Sequence, residues 1–238
     1  MSLPFDPRLI PTLPLEAGLA AVGLDAMHPD ALRRRFAAPP AWQSDVEADR
    51  WVQSEDTVPA AVLVPLVLRR SSENGLWLPP RVLLTQRTAH LKKHGGQISF
   101  PGGRAEPSDE SLTFTALREA QEEVGLPPQR VEVLGHLPTY VTGTGFEVTP
   151  VVGLIQALSH EPERLDLLHD PHEVEDAFEV PLDFLMNPAH HRRHVMDFDG
   201  KSLSYFSMPW APQGVASERF IWGATAAMLR NFYRFLSA

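Results

Sequence analysis

The run Val58–Leu68, VPAAVLVPLVL, holds eleven residues without a charge or a glycine. It is too short to span a bilayer, and its valines and leucines favour an extended chain. It therefore reads as a strand buried within a sheet. Strand-like runs recur after it, at 81–85, 98–100, 131–134, 139–142, 148–155 and 174–180. Helical periodicity is confined to a few places. Residues 111–124 form the clearest case and stop at Gly125, a good helix terminator. Residues 182–186 read as a short helix and 221–236 as a long closing one, while 195–198 and 203–206 read as a hairpin turning at Asp199–Gly200. Many strands and few helices in mixed order predict an α/β fold, a mixed β-sheet sandwiched between helices.

The first 57 residues differ. Proline recurs through them, and between the prolines residues 29–36, with the basic triplet Arg33, Arg34 and Arg35, read as a short helix. We divide the chain into an extension with short helices, 1–57, and a main domain, 58–238. Three arginines fit an arm packing on the body, or a solvated helix face, better than a nucleic-acid patch. The formal charge of −9 also argues against nucleic acid and membranes as partners. With no cysteine, disulfides, thiolate metal sites and cysteine nucleophiles are excluded. The N-terminus lacks the pattern of a secretory signal and no apolar run is long enough to span a bilayer, so a cytoplasmic protein is expected.

The segment 118–126, REAQEEVGL, carries the chemistry. On a helical wheel Glu122 and Glu123 flank Glu119, while Leu117, Ala120 and Val124 gather opposite. Glutamates are good helix formers, so a solvated face is the plain reading. Yet like charges at i and i+4, toward the end of a helix, oppose each other and the macrodipole. A bound hard cation such as Mg²⁺ would offset both penalties.

Together with Gly102–Gly103 and the acidic residues before the helix, this segment resembles the Nudix box, G-x5-E-x7-R-E-U-x-E-E-x-G-U with U apolar. Counting back from Glu110, the expected glycine falls on Arg104 rather than Gly103, so either Asp109 or Glu110 fills the first acidic position. The resemblance implies Mg²⁺- or Mn²⁺-dependent hydrolysis of a nucleoside diphosphate derivative. It makes Glu119, Glu122 and Glu123 metal ligands, with the Gly103 carbonyl facing the metal. Glu119 and Glu122 become candidate catalytic groups, and Arg118 a residue that fixes the loop and helix by pairing with an upstream carboxylate. The general base is Glu119 or a carboxylate from a later loop, where Glu173 and Glu175 are candidates.

Upstream, residues 83–103, LLTQRTAHLKKHGGQISFPGG, resemble the signature of the coenzyme A pyrophosphatase branch. That resemblance implies hydrolysis of coenzyme A or its thioesters to 3′,5′-ADP and (acyl) 4′-phosphopantetheine. Arg87, Lys92, Lys93 and His94 would hold the substrate's phosphates. Other Nudix substrates (NADH, ADP-ribose, nucleoside triphosphates) and a non-catalytic, ligand-binding Nudix domain are the alternatives. A homodimer is compatible with the sequence. The His190–His194 cluster reads as a surface loop rather than a metal site.

Overall fold

The computed structural model describes residues 5–46, 48, 57–89, 95–159, 161, 164–198, 201–212 and 217–238. Their elements run β1 (Thr12–Leu13), α1 (Pro29–Ala37), β2 (Val58–Leu68), β3 (Arg81–Arg87), β4 (Ile98–Ser99), β5 (Gly102–Arg104), α2 (Leu112–Val124), β6 (Val131–His136), β7 (Tyr140–Val141) and β8 (Phe146–Gln156). Then follow β9 (Val174–Pro181), α3 (Leu182–Leu185), β10 (Arg192–Phe198), β11 (Lys201–Trp210), β12 (Arg219–Trp222) and α4 (Gly223–Ser237).

The main sheet has the order β4-β3-β2-β8-β6, with β5 also pairing β2, β7 pairing β8 and β9 pairing β3. It is mixed: β2 and β8 lie parallel over their whole length, and the other pairs are antiparallel. Strand β2 shows why its sequence is uniformly apolar. Ala61, Leu63 and Val67 join the cluster under α2, whereas Ala60, Val64, Leu66 and Leu68 join the cluster on the other face. A strand covered on both sides has no solvent face to mark with polar residues.

Helix α2 begins where Ser111 Oγ accepts the Phe114 N–H at 3.1 Å. It ends at Gly125, which is left-handed at φ 67°. Both ends follow the physics of orphaned helix groups. The helix packs Ala116, Ala120 and Val124 against the sheet, which leaves its glutamate side toward β5.

One feature adds to the predicted architecture and two readings of the sequence need correction. A second, antiparallel sheet, β1-β10-β11-β12, accompanies the mixed one. The predicted hairpin is its β10–β11 pair, with Phe198 opposite Lys201; residues 199 and 200 lie outside the described residues. The closing helix starts at Gly223, because Ile221 and Trp222 extend β12 against Met208 and Ser207. Finally, the histidine cluster is not a surface loop: His191 and His194 are buried. His191 Nε2–H donates to the Leu185 carbonyl at 2.7 Å while its Nδ1 accepts from Arg230 at 3.1 Å. The basic triplet packs on the body, Arg33 forking onto Glu132 at 2.7 and 2.8 Å. Among the described residues no helix is long and apolar enough to cross a membrane.

Candidate active site

Strand β5 brings two glycines against the glutamate side of α2. A Cβ on Gly103 would stand 2.6 Å from the Glu119 carboxylate, so the missing side chain is the space in which that carboxylate lies. At Gly102 a Cβ would meet the Ala61 carbonyl oxygen of β2 at 2.5 Å. The Gly102 N–H, held there, donates to Glu123 Oε2 at 3.2 Å. Both glycines are thus required by close approach.

The three helical glutamates have different environments. The side chain of Glu123 is 7% exposed, that of Glu119 18% and that of Glu122 59%. Glu122 therefore points to solvent rather than into a common cluster. Burial pushes the Glu123 carboxyl up to about 7, opposed by the Gly102 N–H and by Arg87, and reinforced by Glu119 and Glu173. Burial also raises Glu119, opposed by Arg118, with Glu122 and Glu173 adding to the rise. Glu119, Glu123 and Glu173 are therefore near enough to repel one another. Glu173, which precedes β9, is brought to the site; Glu175 is not in this group and instead meets Gln86 at 3.5 Å.

Two arginines brace the carboxylates. Arg118 forks onto Asp109 through Nε and Nη2, both at 3.0 Å, and its Nη1 lies 3.0 Å from Glu119 and from Glu122. Asp109 also accepts from Thr115 Oγ1 at 2.8 Å and from the Glu106 N–H at 2.9 Å. These bonds, led by that from Arg118, hold its carboxyl well below the usual carboxylate range. Of the two upstream acids, Asp109 makes the fork and Glu110 is exposed. Arg87 was expected to face substrate. Its guanidinium lies between Glu123 (3.4 Å) and Glu173 (3.6 Å). Lys92, Lys93 and His94 lie outside the described residues.

Sequence reasoning passed over Thr115 and the amide of Gly102. Thr115 sits three residues before Arg118, on the same helical face, and that spacing was the available signal. Among the described residues no three histidine, aspartate or glutamate side chains are grouped so that they could hold a metal ion.

Residues 57–198 match the NUDIX domain family model. The chain is 43% identical over 173 residues to an uncharacterized Nudix hydrolase, NudL, of Pectobacterium atrosepticum, covering 72% of this chain and 79% of the relative. A NudL of Yersinia pestis is 38% identical over 72% of this chain and 76% of its own length. Among solved structures, the Nudix hydrolase RenU of M. smegmatis matches 57% of this chain and 81% of its own at 25% identity, with a TM-score of 0.40.

Proposed function

The chain belongs to the Nudix hydrolase family, and on that premise we propose that it is a divalent-metal-dependent pyrophosphohydrolase acting on coenzyme A or its thioesters. The observation that carries the reading is the pair Glu119 and Glu123, both raised by burial and by neighbouring carboxylates, lying against Gly103 and the Gly102 N–H. A bound cation would offset the cost of ionising two such carboxylates side by side.

The donor set fits Mg²⁺ or Mn²⁺. Its ligands are hard oxygens, and an open arrangement suits an ion that keeps several waters and takes one or two carboxylates plus substrate phosphates. Glu119 and Glu123 would hold it, with Glu173 beside them and the Gly103 carbonyl at the loop. Bound there, the ion neutralises diphosphate charge and lowers the pKa of a water.

The remaining tasks fall to the chain's own groups. Arg118, locked to Asp109, keeps the loop before α2 in register with the helix and orients Glu119. Arg87 balances Glu123 and Glu173. A water placed beside the carboxylates can lose its proton to Glu119 or Glu173. Glu122, turned to solvent, is the weakest of the three helical ligands.

Coenzyme A as substrate is supported by the resemblance of residues 83–103 to that branch. The test is to incubate the protein and Mn²⁺ with coenzyme A, NADH, ADP-ribose and deoxynucleoside triphosphates, and to identify products by mass. Coenzyme A is expected to be consumed fastest. Rapid NADH or ADP-ribose cleavage without coenzyme A turnover sinks the substrate assignment. Ligand binding without any turnover sinks the hydrolase reading and leaves a binding domain.

A further inference from the structure

The two arginines at the carboxylates are held very differently. Arg118 is locked, because two of its nitrogens fork onto Asp109, both at 3.0 Å, and its side chain is 17% exposed. Arg87 reaches its partners through single long contacts, Nη1 to Glu123 Oε1 at 3.4 Å and Nη2 to Glu173 Oε2 at 3.6 Å, and is 27% exposed. Contacts of that length are weak. We propose that Arg87 is a displaceable counter-cation: its guanidinium takes the place between Glu123 and Glu173 that a divalent ion held by both would take, so the ion binds by displacing it. The proposal rests on the metal-dependent reading of the site.

The fold aims this side chain. The β3–β9 ladder pairs Gln86 with Asp176 and Arg87 with Val174, so a bulge leaves Glu175 without an opposite residue on β3. Side chains alternate along β3, and Leu83 lies in the cluster under α2, so Arg87, four residues on, shares that face. Val174 belongs to the same cluster, and Glu175 meets Gln86 instead. Bulges beside active sites re-aim side chains in this way. The backbone is pinned on both sides. The Arg87 N–H donates to the Gln97 carbonyl at 2.9 Å and the Arg87 carbonyl accepts from the Gly96 N–H at 3.0 Å. The Thr88 N–H donates to the Glu173 carbonyl at 3.0 Å, and Thr88 Oγ1 to that of His172 at 3.1 Å. The Cα of Arg87 is therefore fixed, and its long side chain is the part free to leave.

The two cations exclude each other. Glu123 and Glu173 meet different nitrogens, so the guanidinium stands between them. A hard divalent ion such as Mg²⁺ takes carboxylate oxygens at about 2.1 Å, which leaves no room for a planar group between them. It also carries twice the charge of the guanidinium, and the two repel. The same placement is a physical reason why, among the described residues, no three histidine, aspartate or glutamate side chains are grouped to hold an ion. Without the ion, Arg87 offsets repulsion between the carboxylates: of the groups around Glu123, Arg87 lowers its carboxyl and Glu173 raises it.

The test reads metal binding without substrate. Mn²⁺ is titrated into metal-free protein near pH 8, above the value of about 7 to which burial pushes Glu123, and free Mn²⁺ is followed by its EPR signal. Arg87→Gln removes the competing charge and is expected to bind Mn²⁺ about tenfold more tightly than wild type. Arg87→Lys keeps a charge that cannot span both carboxylates; it should bind Mn²⁺ about threefold more tightly, and serves if Arg87→Gln does not fold. A residue that merely positions the carboxylates gives the opposite sign. In ¹⁵N-labelled wild type, the Arg87 Nε–H signal, assigned by its loss in Arg87→Lys, should shift when Mg²⁺ is added. Mn²⁺ affinity unchanged or weakened in either folded variant, or an Arg87 signal that Mg²⁺ leaves unmoved, overturns the proposal. Tightened Mn²⁺ binding in a protein that hydrolyses no diphosphate upholds the counter-cation and overturns the pyrophosphohydrolase reading. Diphosphate hydrolysis with Mn²⁺ affinity unchanged in the variants does the reverse.

Discussion

Replacing Glu123 with Gln is expected to stabilise the metal-free protein at alkaline pH while removing its response to Mn²⁺. The carboxyl is buried, and burial raises it from an ordinary 4.5 to about 7 against the pull of the Gly102 N–H and Arg87. An acid raised in this way keeps its proton longer in the folded state. Between pH 4.5 and about 7 the native protein binds more protons than the unfolded chain, so stability falls as pH rises through that window. Each pH unit is worth about 1.4 kcal/mol, which makes ionised Glu123 cost roughly 3 kcal/mol by about pH 8. Gln keeps an acceptor for Gly102 and has no charge to desolvate. Urea denaturation in EDTA should therefore place the variant about 3 kcal/mol above wild type near pH 8, and within about 1 kcal/mol near pH 5. Saturating Mn²⁺ should raise the wild-type midpoint and leave the variant where it was. A variant less stable than wild type in EDTA near pH 8 would refute the reasoning, because Glu123 would then be a net stabilising partner without metal.

Glu179→Gln should lower stability by about 3 to 5 kcal/mol, read in a denaturant titration, because it strands the buried Arg69 that it holds at 2.5 and 2.9 Å; a loss under about 1 kcal/mol would contradict this. Burial lowers His191 from 6.5 to about 4, so the unfolded chain takes up a proton first and stability falls as pH drops from 6.5 towards 4. That loss totals about 3 kcal/mol, and the His191 ring should titrate by NMR near its lowered value; a midpoint near 6.5 refutes it. Gly103→Ala places a Cβ 2.6 Å from the Glu119 carboxylate and must displace it. Activity should fall about 10- to 100-fold with the melting temperature nearly unchanged, and full activity would show that the position of Glu119 is immaterial.

What could be read in the sequence followed from local periodicity. Strand β2 was legible because both of its faces are buried, and α2 because Ser111 and Gly125 mark its ends. The helical wheel placed Glu119, Glu122 and Glu123 on one side, but it does not know where β5 lies. That strand covers Glu123 and leaves Glu122 in solvent. Ile221 and Trp222 continue the apolar pattern of α4, and only pairing with Ser207 and Met208 makes them strand; Gly223, at φ 63°, was the signal of the break. The two-residue strand Thr12–Leu13 has no periodicity to detect, and its partner lies 182 positions away at His194. The histidines looked like surface residues because the groups that satisfy them, Arg230, Leu185, Ser207 and Ile10, come together only in the fold. Arg87 resembled a phosphate ligand, and only the fold sets it between two carboxylates.

The most direct test of the central claim is product analysis of coenzyme A turnover in ¹⁸O-labelled water with Mg²⁺ or Mn²⁺. Hydrolysis at the diphosphate predicts 3′,5′-ADP and 4′-phosphopantetheine, one of them carrying a single ¹⁸O on its phosphoryl group, and no turnover in EDTA or in the Glu123→Gln variant. Label in released inorganic phosphate, coenzyme A recovered unchanged, or undiminished turnover in EDTA would contradict it.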